Sequence, residues 1–236
     1  MKQHAQLFLL ALCLLFHGSL FSQTPKPNII FIISDDLNDY VSAFGGHPQA
    51  HTPKLDSLAH AGILFTNVYC SAPGCGPSRA SMLSGKDCLY TDVYNNSEYQ
   101  EYFRDNFTPA HNNEFVVTLP EHLKNEGGYF TYGINKIFHD FFTTDFDETS
   151  SDICEKELSW NKISIFNDFY WVESIQNAAE EGVEGFQWSR LDDTIEHNLK
   201  DFRTVDTVLA FIRSVQQDPS VTCNKPFFMA VGIAKP

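Results

Sequence analysis

The chain has 236 residues, 43% of them hydrophobic, enough to build one large domain or a substantial piece of a bigger one. Its formal net charge of −14 argues against nucleic acid or an anionic membrane surface as a partner, since both attract basic proteins. Any anionic ligand must therefore be held by a few local cations.

At the amino terminus Lys2 precedes an almost unbroken apolar run from Leu7 to Phe16 and the exit Leu20-Phe21-Ser22, the pattern of a secretory signal peptide over residues 1–22. The run is shorter than the roughly 20 apolar residues a spanning helix needs, and no later segment is long and apolar enough to cross a bilayer. Residues 23–236 are therefore expected to form an exported unit, secreted or periplasmic, with no membrane attachment. Cys13 follows Leu12 rather than a small residue, so it reads as part of the signal and not as a lipid anchor. Cys70, Cys75, Cys88, Cys154 and Cys223 remain. Their number is odd, so in an oxidising compartment at least one has a fate other than a disulfide.

Asn28 to Ile33 is a continuous apolar run, the signature of a strand buried on both faces of a parallel sheet, and it ends in Ser34-Asp35-Asp36. Thr52 and Pro53 supply an N-cap and first-turn proline for a helix from Lys54 to Ala61, closed by Gly62, with a second strand expected from Ile63 to Val68. Thr118 and Glu121 form a capping box for a helix to about Asn125, and Gly127-Gly128 separate it from a strand at Tyr129 to Tyr132. Val205 to Val215 reads as an amphipathic helix leading into the strand Pro226 to Ile233. Strands alternating with helices predict an α/β fold, a mostly parallel central sheet with helices on both faces. Ligand sites in such sheets lie beyond the carboxyl ends of the strands, where Asp35, Asp36, Lys136 and Lys235 fall.

The stretch from about Asp140 to Arg190 is less regular and reads as an insertion over the site. It is acidic at Asp145, Asp147, Glu148, Asp152, Glu155 and Glu157, without the glycine and spacing of an EF-hand loop, so a solvated segment is expected. Its aromatics, Trp160, Phe166, Phe169, Tyr170, Trp171 and Trp188, suit a core better than a sugar-stacking face. Asn95-Asn96-Ser97 and Asn106-Phe107-Thr108 match glycosylation acceptors.

The chemistry concentrates in Cys75-Gly76-Pro77-Ser78-Arg79-Ala80-Ser81-Met82-Leu83-Ser84-Gly85-Lys86. Pro77 suits the first position of a helix, which would place Cys75 just before a helix amino terminus, where free N–H groups favour an anion. The plain reading of such a cysteine in an exported protein is a disulfide partner or buried thiol. Arg79 lies four residues on, on the same helical face, able to hold nearby carboxylates. Asp35 and Asp36 are paired hard oxygen donors at a strand end, suited to Ca²⁺ or Mg²⁺, or else a solvated turn.

This segment resembles the type I sulfatase signature, C-x-P-S-R followed by a small-residue helix and T-G-R, with Lys86 in place of the final arginine. Pro27 to Leu37, followed by Thr52 to Ala59, is similar to that family's opening strand and first helix. Lys136-Ile137-Phe138-His139 and Pro226 to Pro236 resemble the iduronate 2-sulfatase branch, with Asn135 standing where the usual residue is glycine. The resemblance covers nearly all of residues 23–236, as the amino-terminal part of the catalytic domain. It is densest at 27–90 and 119–139 and thin between 140 and 200.

The resemblance implies an alkaline-phosphatase-like fold, truncated before its carboxyl-terminal subdomain, that hydrolyses a sulfate ester, with a carbohydrate as the expected carrier. Cys75 would be oxidised by a formylglycine-generating enzyme, and the hydrated aldehyde would carry one hydroxyl to attack sulfur and one to expel sulfate. Asp35, Asp36 and the converted Cys75 would hold one Ca²⁺, while Arg79, Lys136 and His139 would neutralise and position the sulfate. In an animal the compartment would be lysosomal. Two rivals stand beside this: a phosphoesterase or phosphonate hydrolase of the same superfamily, and a truncated, non-catalytic sugar-binding protein.

Overall fold

The computed structural model describes residues 25–98, 116–139, 149–166, 181–183, 186–188 and 197–234. The signal segment, the acids Asp145, Asp147 and Glu148, the aromatics Phe169 to Trp171, the acceptor at Asn106 and Lys235 lie outside the described residues.

In chain order the regular elements are β1 (Ile29–Ser34), α1 (Pro53–Ala61), α2 (Cys75–Ser84), α3 (Cys88–Thr91), α4 (Leu119–Asn125) and β2 (Phe130–Asn135). After them come β3 (Lys162–Ser164), β4 (Glu181–Val183), β5 (Phe186–Trp188), α5 (Lys200–Gln217) and β6 (Phe227–Ile233). Four strands form one sheet in the order β1-β6-β2-β3, every pair parallel, and β4 and β5 make a separate antiparallel pair. The carboxyl ends of β1, β6 and β2 thus emerge side by side.

Alternation along the strands builds two cores, one on each face of the sheet. Phe228 and Ala230 of β6 pack with Ala80 and Leu83 of α2, Val93, Trp160 and the partly buried Ile29, Phe31 and Ile33 of β1. Phe227, Met229 and Val231 point the other way and join Phe130, Tyr132 and Ile134 of β2 against Phe211, Val208 and Ile212 of α5. All six residues of β2 are buried, as a strand sandwiched between helical layers requires. The predicted α/β class with helices on both faces is what the chain adopts. β1 is one-sided: its Ile30 and Ile32 are 45% and 62% exposed.

Three local expectations need correction. Ile63 to Val68 is irregular rather than a strand, with Ile63, Phe65 and Val68 all exposed, because no sheet partner lies beside it among the described residues. Thr52 does precede α1, but its hydroxyl contacts Ser42 Oγ at 2.8 Å instead of capping the helix. The region read as an insertion also contributes to the sheet, through β3 pairing with Tyr132 to Ile134, and Trp160 is fully buried in the first core. The Thr118 half of the predicted capping box is formed, its hydroxyl accepting from the Glu121 N–H at 3.3 Å.

A disulfide joins Cys154 to Cys223, tying the segment before β3 to the turn before β6. Cys70, Cys75 and Cys88 are free thiols. No helix among the described residues is long and apolar enough to cross a membrane.

Candidate active site

Two strand ends and one helix start converge. Beyond β1 the Asp35 N–H still donates to the Ile233 carbonyl at 2.9 Å, which extends the β1–β6 ladder by one bond and fixes the carboxylate at the sheet's rim. Asp36 then takes φ 53, in the left-handed region that aspartate tolerates better than most residues. One oxygen from each carboxylate and the Cys75 Sγ all lie within 4.8 Å of one another.

Cys75 is the first residue of α2 and Gly74 its N-cap, so the cysteine sits inside the first turn instead of before it, and Pro77 is the third helical residue. Glycine offers no capping side chain, and the Asn96 Oδ1 serves instead, accepting from the Gly76 N–H at 2.8 Å across 20 residues of chain. Nothing in the sequence pattern pointed to Asn96 beyond its place in a glycosylation triplet.

Arg79, one turn further on, is only 4% exposed. Its Nη2 donates to Asp35 Oδ1 at 3.0 Å, and its Nη1 donates to the Lys136 carbonyl at 2.5 Å and the Ile137 carbonyl at 2.9 Å. The guanidinium fork therefore ties the nucleophile helix, the β1 carboxylate and the turn after β2 into one unit. A lysine could not make that set of bonds.

Lys136 follows β2 directly, and its Nζ forms an ion pair with Asp35 Oδ2 and lies 4.0 Å from Cys75 Sγ. The backbone that carries it rests on β6, since a Cβ at Gly232 would fall 2.1 Å from the Lys136 carbonyl oxygen. Only glycine permits that approach. His139 follows the buried pair Ile137 and Phe138 and is half-buried.

Burial works to raise the Asp35 carboxyl, but the hydrogen bonds and charges of Lys136 and Arg79 outweigh it and hold the group below the ordinary carboxylate range. Burial likewise pushes the Cys75 thiol up, and the Lys136 charge offsets this only in part. Unmodified Cys75 is therefore a thiol near neutral pH.

A divalent ion fits part of this donor set. Two carboxylates converging on one point suit a hard cation, although Arg79 and Lys136 already occupy both oxygens of Asp35, while a thiol does not. The Sγ position stands where an oxygen of converted Cys75 would be, and that exchange makes all three donors oxygen.

The parallel sheet, its two helical layers and a polar cluster beyond the strand ends define an α/β protein of the alkaline-phosphatase-like kind. A solved structure with that fold, the phosphonate monoester hydrolase of Agrobacterium radiobacter, superposes over 89% of this chain and 41% of its own, with a TM-score of 0.54 and 18% identity. The chain belongs to the sulfatase family, whose model matches residues 27–233. A curated sulfatase of Formosa agariphila is 28% identical over 91% of this chain and 40% of its own length. The iduronate 2-sulfatase of Mus musculus is 26% identical over 91% of this chain and 36% of its own. The chain thus spans about two fifths of the length of the curated relatives it matches.

Proposed function

We propose that this chain carries the nucleophile and the first metal ligands of an enzyme that hydrolyses sulfate esters of carbohydrates. The observation that carries this reading is the meeting of Cys75, Asp35 and Asp36 within 4.8 Å, braced by Arg79 and Lys136. Cys75, converted to formylglycine, would present its hydroxyl at the amino terminus of α2, where backbone N–H groups favour the sulfate's charge. Asp35 and Asp36 would hold a divalent ion, Ca²⁺ by the hardness of the donors, and that ion would polarise a sulfate oxygen. Three protein donors leave ligand positions for water, substrate or further protein groups.

Lys136 has the charge and reach to neutralise a sulfate oxygen beside the nucleophile. Arg79 would keep the carboxylate, the nucleophile and that lysine in register, and His139 would contact the sulfate or the nucleophile. The Cys154–Cys223 disulfide supports an exported location, since such bonds persist in oxidising compartments. The iduronate 2-sulfatase relative supports a sulfated uronic acid or similar polysaccharide unit as substrate.

The test is the fate of Cys75 together with its effect on turnover. In protein co-expressed with a formylglycine-generating enzyme, the peptide carrying Cys75 should appear by mass spectrometry as the aldehyde or its hydrate, and Cys75→Ser should abolish release of sulfate from an aryl sulfate. A serine hydroxyl can attack sulfur, but with no second hydroxyl it cannot expel the sulfate. Active protein holding Cys75 only as thiol or disulfide would refute the assignment.

A further inference from the structure

We propose that Asn135 and Thr204 form a buried pin that fixes where Lys136 presents its ammonium, which makes both of them positioning residues of the site. The inference rests on the role given to Lys136 above, and it adds the element that holds it.

Asn135 is the last residue of β2 and has φ 64, in the left-handed region. Glycine adopts that conformation without cost, whereas asparagine adopts it with some strain and needs a reason to be there. The reason lies in its side chain. Asn135 is 8% exposed and its Nδ2 donates to Thr204 Oγ1 at 3.0 Å, deep under α5. Thr204 is fully buried, and its hydroxyl proton is already committed to the Lys200 carbonyl at 2.9 Å, so its oxygen is oriented to accept from the amide. The Asn135 Oδ1 has no partner, which leaves Thr204 as the anchor of the amide among the described residues.

The left-handed residue ends the strand, and Lys136 lies immediately beyond it. Its peptide is held on two other sides, by Arg79 on its carbonyl and by Gly232 directly beneath it. The Asn135 carbonyl accepts from the Ile137 N–H at 2.9 Å and the residue pairs in register with Gly232 of β6, so the turn is closed on the strand side, and its side chain supplies the hold on the helical side. The Asn135–Thr204 bond ties that backbone to the second helical layer. Asp201, in the same first turn of α5, accepts from the Ala234 N–H at 2.8 Å, so this turn also secures the end of β6 beside it.

Competitive acetylation of lysines read by mass spectrometry tests this on the 236-residue chain without requiring turnover. Asn135→Gly keeps the left-handed backbone and removes the pin, and Thr204→Val removes the accepting oxygen at nearly constant shape. Each should raise the acetylation rate of Lys136 about fivefold, the population change that loss of one hydrogen bond of ordinary net strength brings. Lys124, buried and bonded to the carbonyls of Lys156 and Glu157, is the internal control and should keep its wild-type rate. An unchanged Lys136 rate in either variant, or Lys124 rising in parallel with it, overturns the proposal, the second result because it reports general loosening. If Lys136 responds as expected but Cys75, co-expressed with a formylglycine-generating enzyme, is found only as thiol or disulfide, the pin stands and the sulfatase reading fails.

Discussion

Replacing Arg79 with methionine should cost about 3–5 kcal/mol of stability, the range for removing one partner of a buried ion pair. Methionine keeps the length and apolar stem while deleting the charge and every donor. Asp35, nine-tenths buried, would keep only Lys136, and the Lys136 and Ile137 carbonyls would lose their shared donor. Each orphaned carbonyl could add about 1–3 kcal/mol, but water entering from the rim would relieve part of it, so the lower range stands. At about 2–4 °C per kcal/mol for a chain of this size, the melting midpoint should fall by roughly 6–20 °C. The assay is urea and thermal unfolding of chelator-treated protein, which isolates the brace from any metal effect, with the denaturant slope checked for constancy. Arg79→Lys should recover only part of the loss, because one ammonium cannot serve a carboxylate and two carbonyls in that geometry. A loss below about 1 kcal/mol in Arg79→Met would place Arg79 among surface ion pairs and refute the brace.

Asp36→Asn should weaken Ca²⁺ binding measured by calorimetry, yet leave the melting midpoint of metal-free protein within about 0.5 kcal/mol equivalent, because Asp36 is exposed. Breaking Cys154–Cys223 by a double change to alanine should cost about 4 kcal/mol in a chain-entropy account of a 69-residue separation, read by chemical denaturation. Lys162 packs over the rings of Tyr132 and Phe211, and burial pulls its pKa below the usual lysine value. Between the folded and unfolded values the unfolded chain binds more protons, so this group's share of stability rises with pH up to about 10. The wild type minus Lys162→Met difference should show that rise, and a flat difference would refute it. Tyr132, raised by burial, acts in the opposite sense only above its ordinary value.

How much of this was legible in the sequence depends on whether a feature is local. The run of β6 announced itself because a strand covered on both faces must be apolar at consecutive positions, the equally apolar β1 forms a strand but leaves Ile30 and Ile32 exposed, and the capping box at Thr118 is a four-residue signal. Ile63 to Val68 has the same apolar look but no strand beside it among the described residues, and β propensity without a neighbour does not make a strand. β3 was missed for the converse reason. Three residues, Lys162–Ser164, are too short to show a period, and their pairing is dictated by Tyr132 to Ile134, about 30 residues away.

The site divides along the same line. Cys75, Arg79, Asp35, Asp36 and Lys136 were recognisable as residue types at strand and helix ends, but the side chains that hold them in place were not. Asn96 reaches the start of α2 across 20 residues, Thr204 reaches Asn135 across 69, and Gly232 matters only because the Lys136 backbone lies on it. Asn135 in particular read as a departure from the usual glycine. Its conformation is the one glycine would adopt, so the departure changes the anchoring and not the backbone path.

Cys75 is the clearest case of a residue whose encoded form and proposed working form differ. As a thiol it is pushed away from ionisation by burial, and it places a soft donor beside two hard ones. Neither property suits a nucleophile working next to a calcium ion. The proposed conversion to the hydrated aldehyde would remove both objections, because the group would become an oxygen donor that matches Asp35 and Asp36 and would no longer depend on a thiolate. The surrounding cations then have a consistent purpose. With Arg79 committed to Asp35 and two carbonyls, Lys136, 4.0 Å from Cys75 Sγ and with its side chain 14% exposed, is the cation we propose would exchange its carboxylate partner for an incoming anion. An ion held through Asp35 would release Lys136 from that carboxylate, so in the proposed mechanism metal binding and readiness for sulfate would be coupled through one side chain.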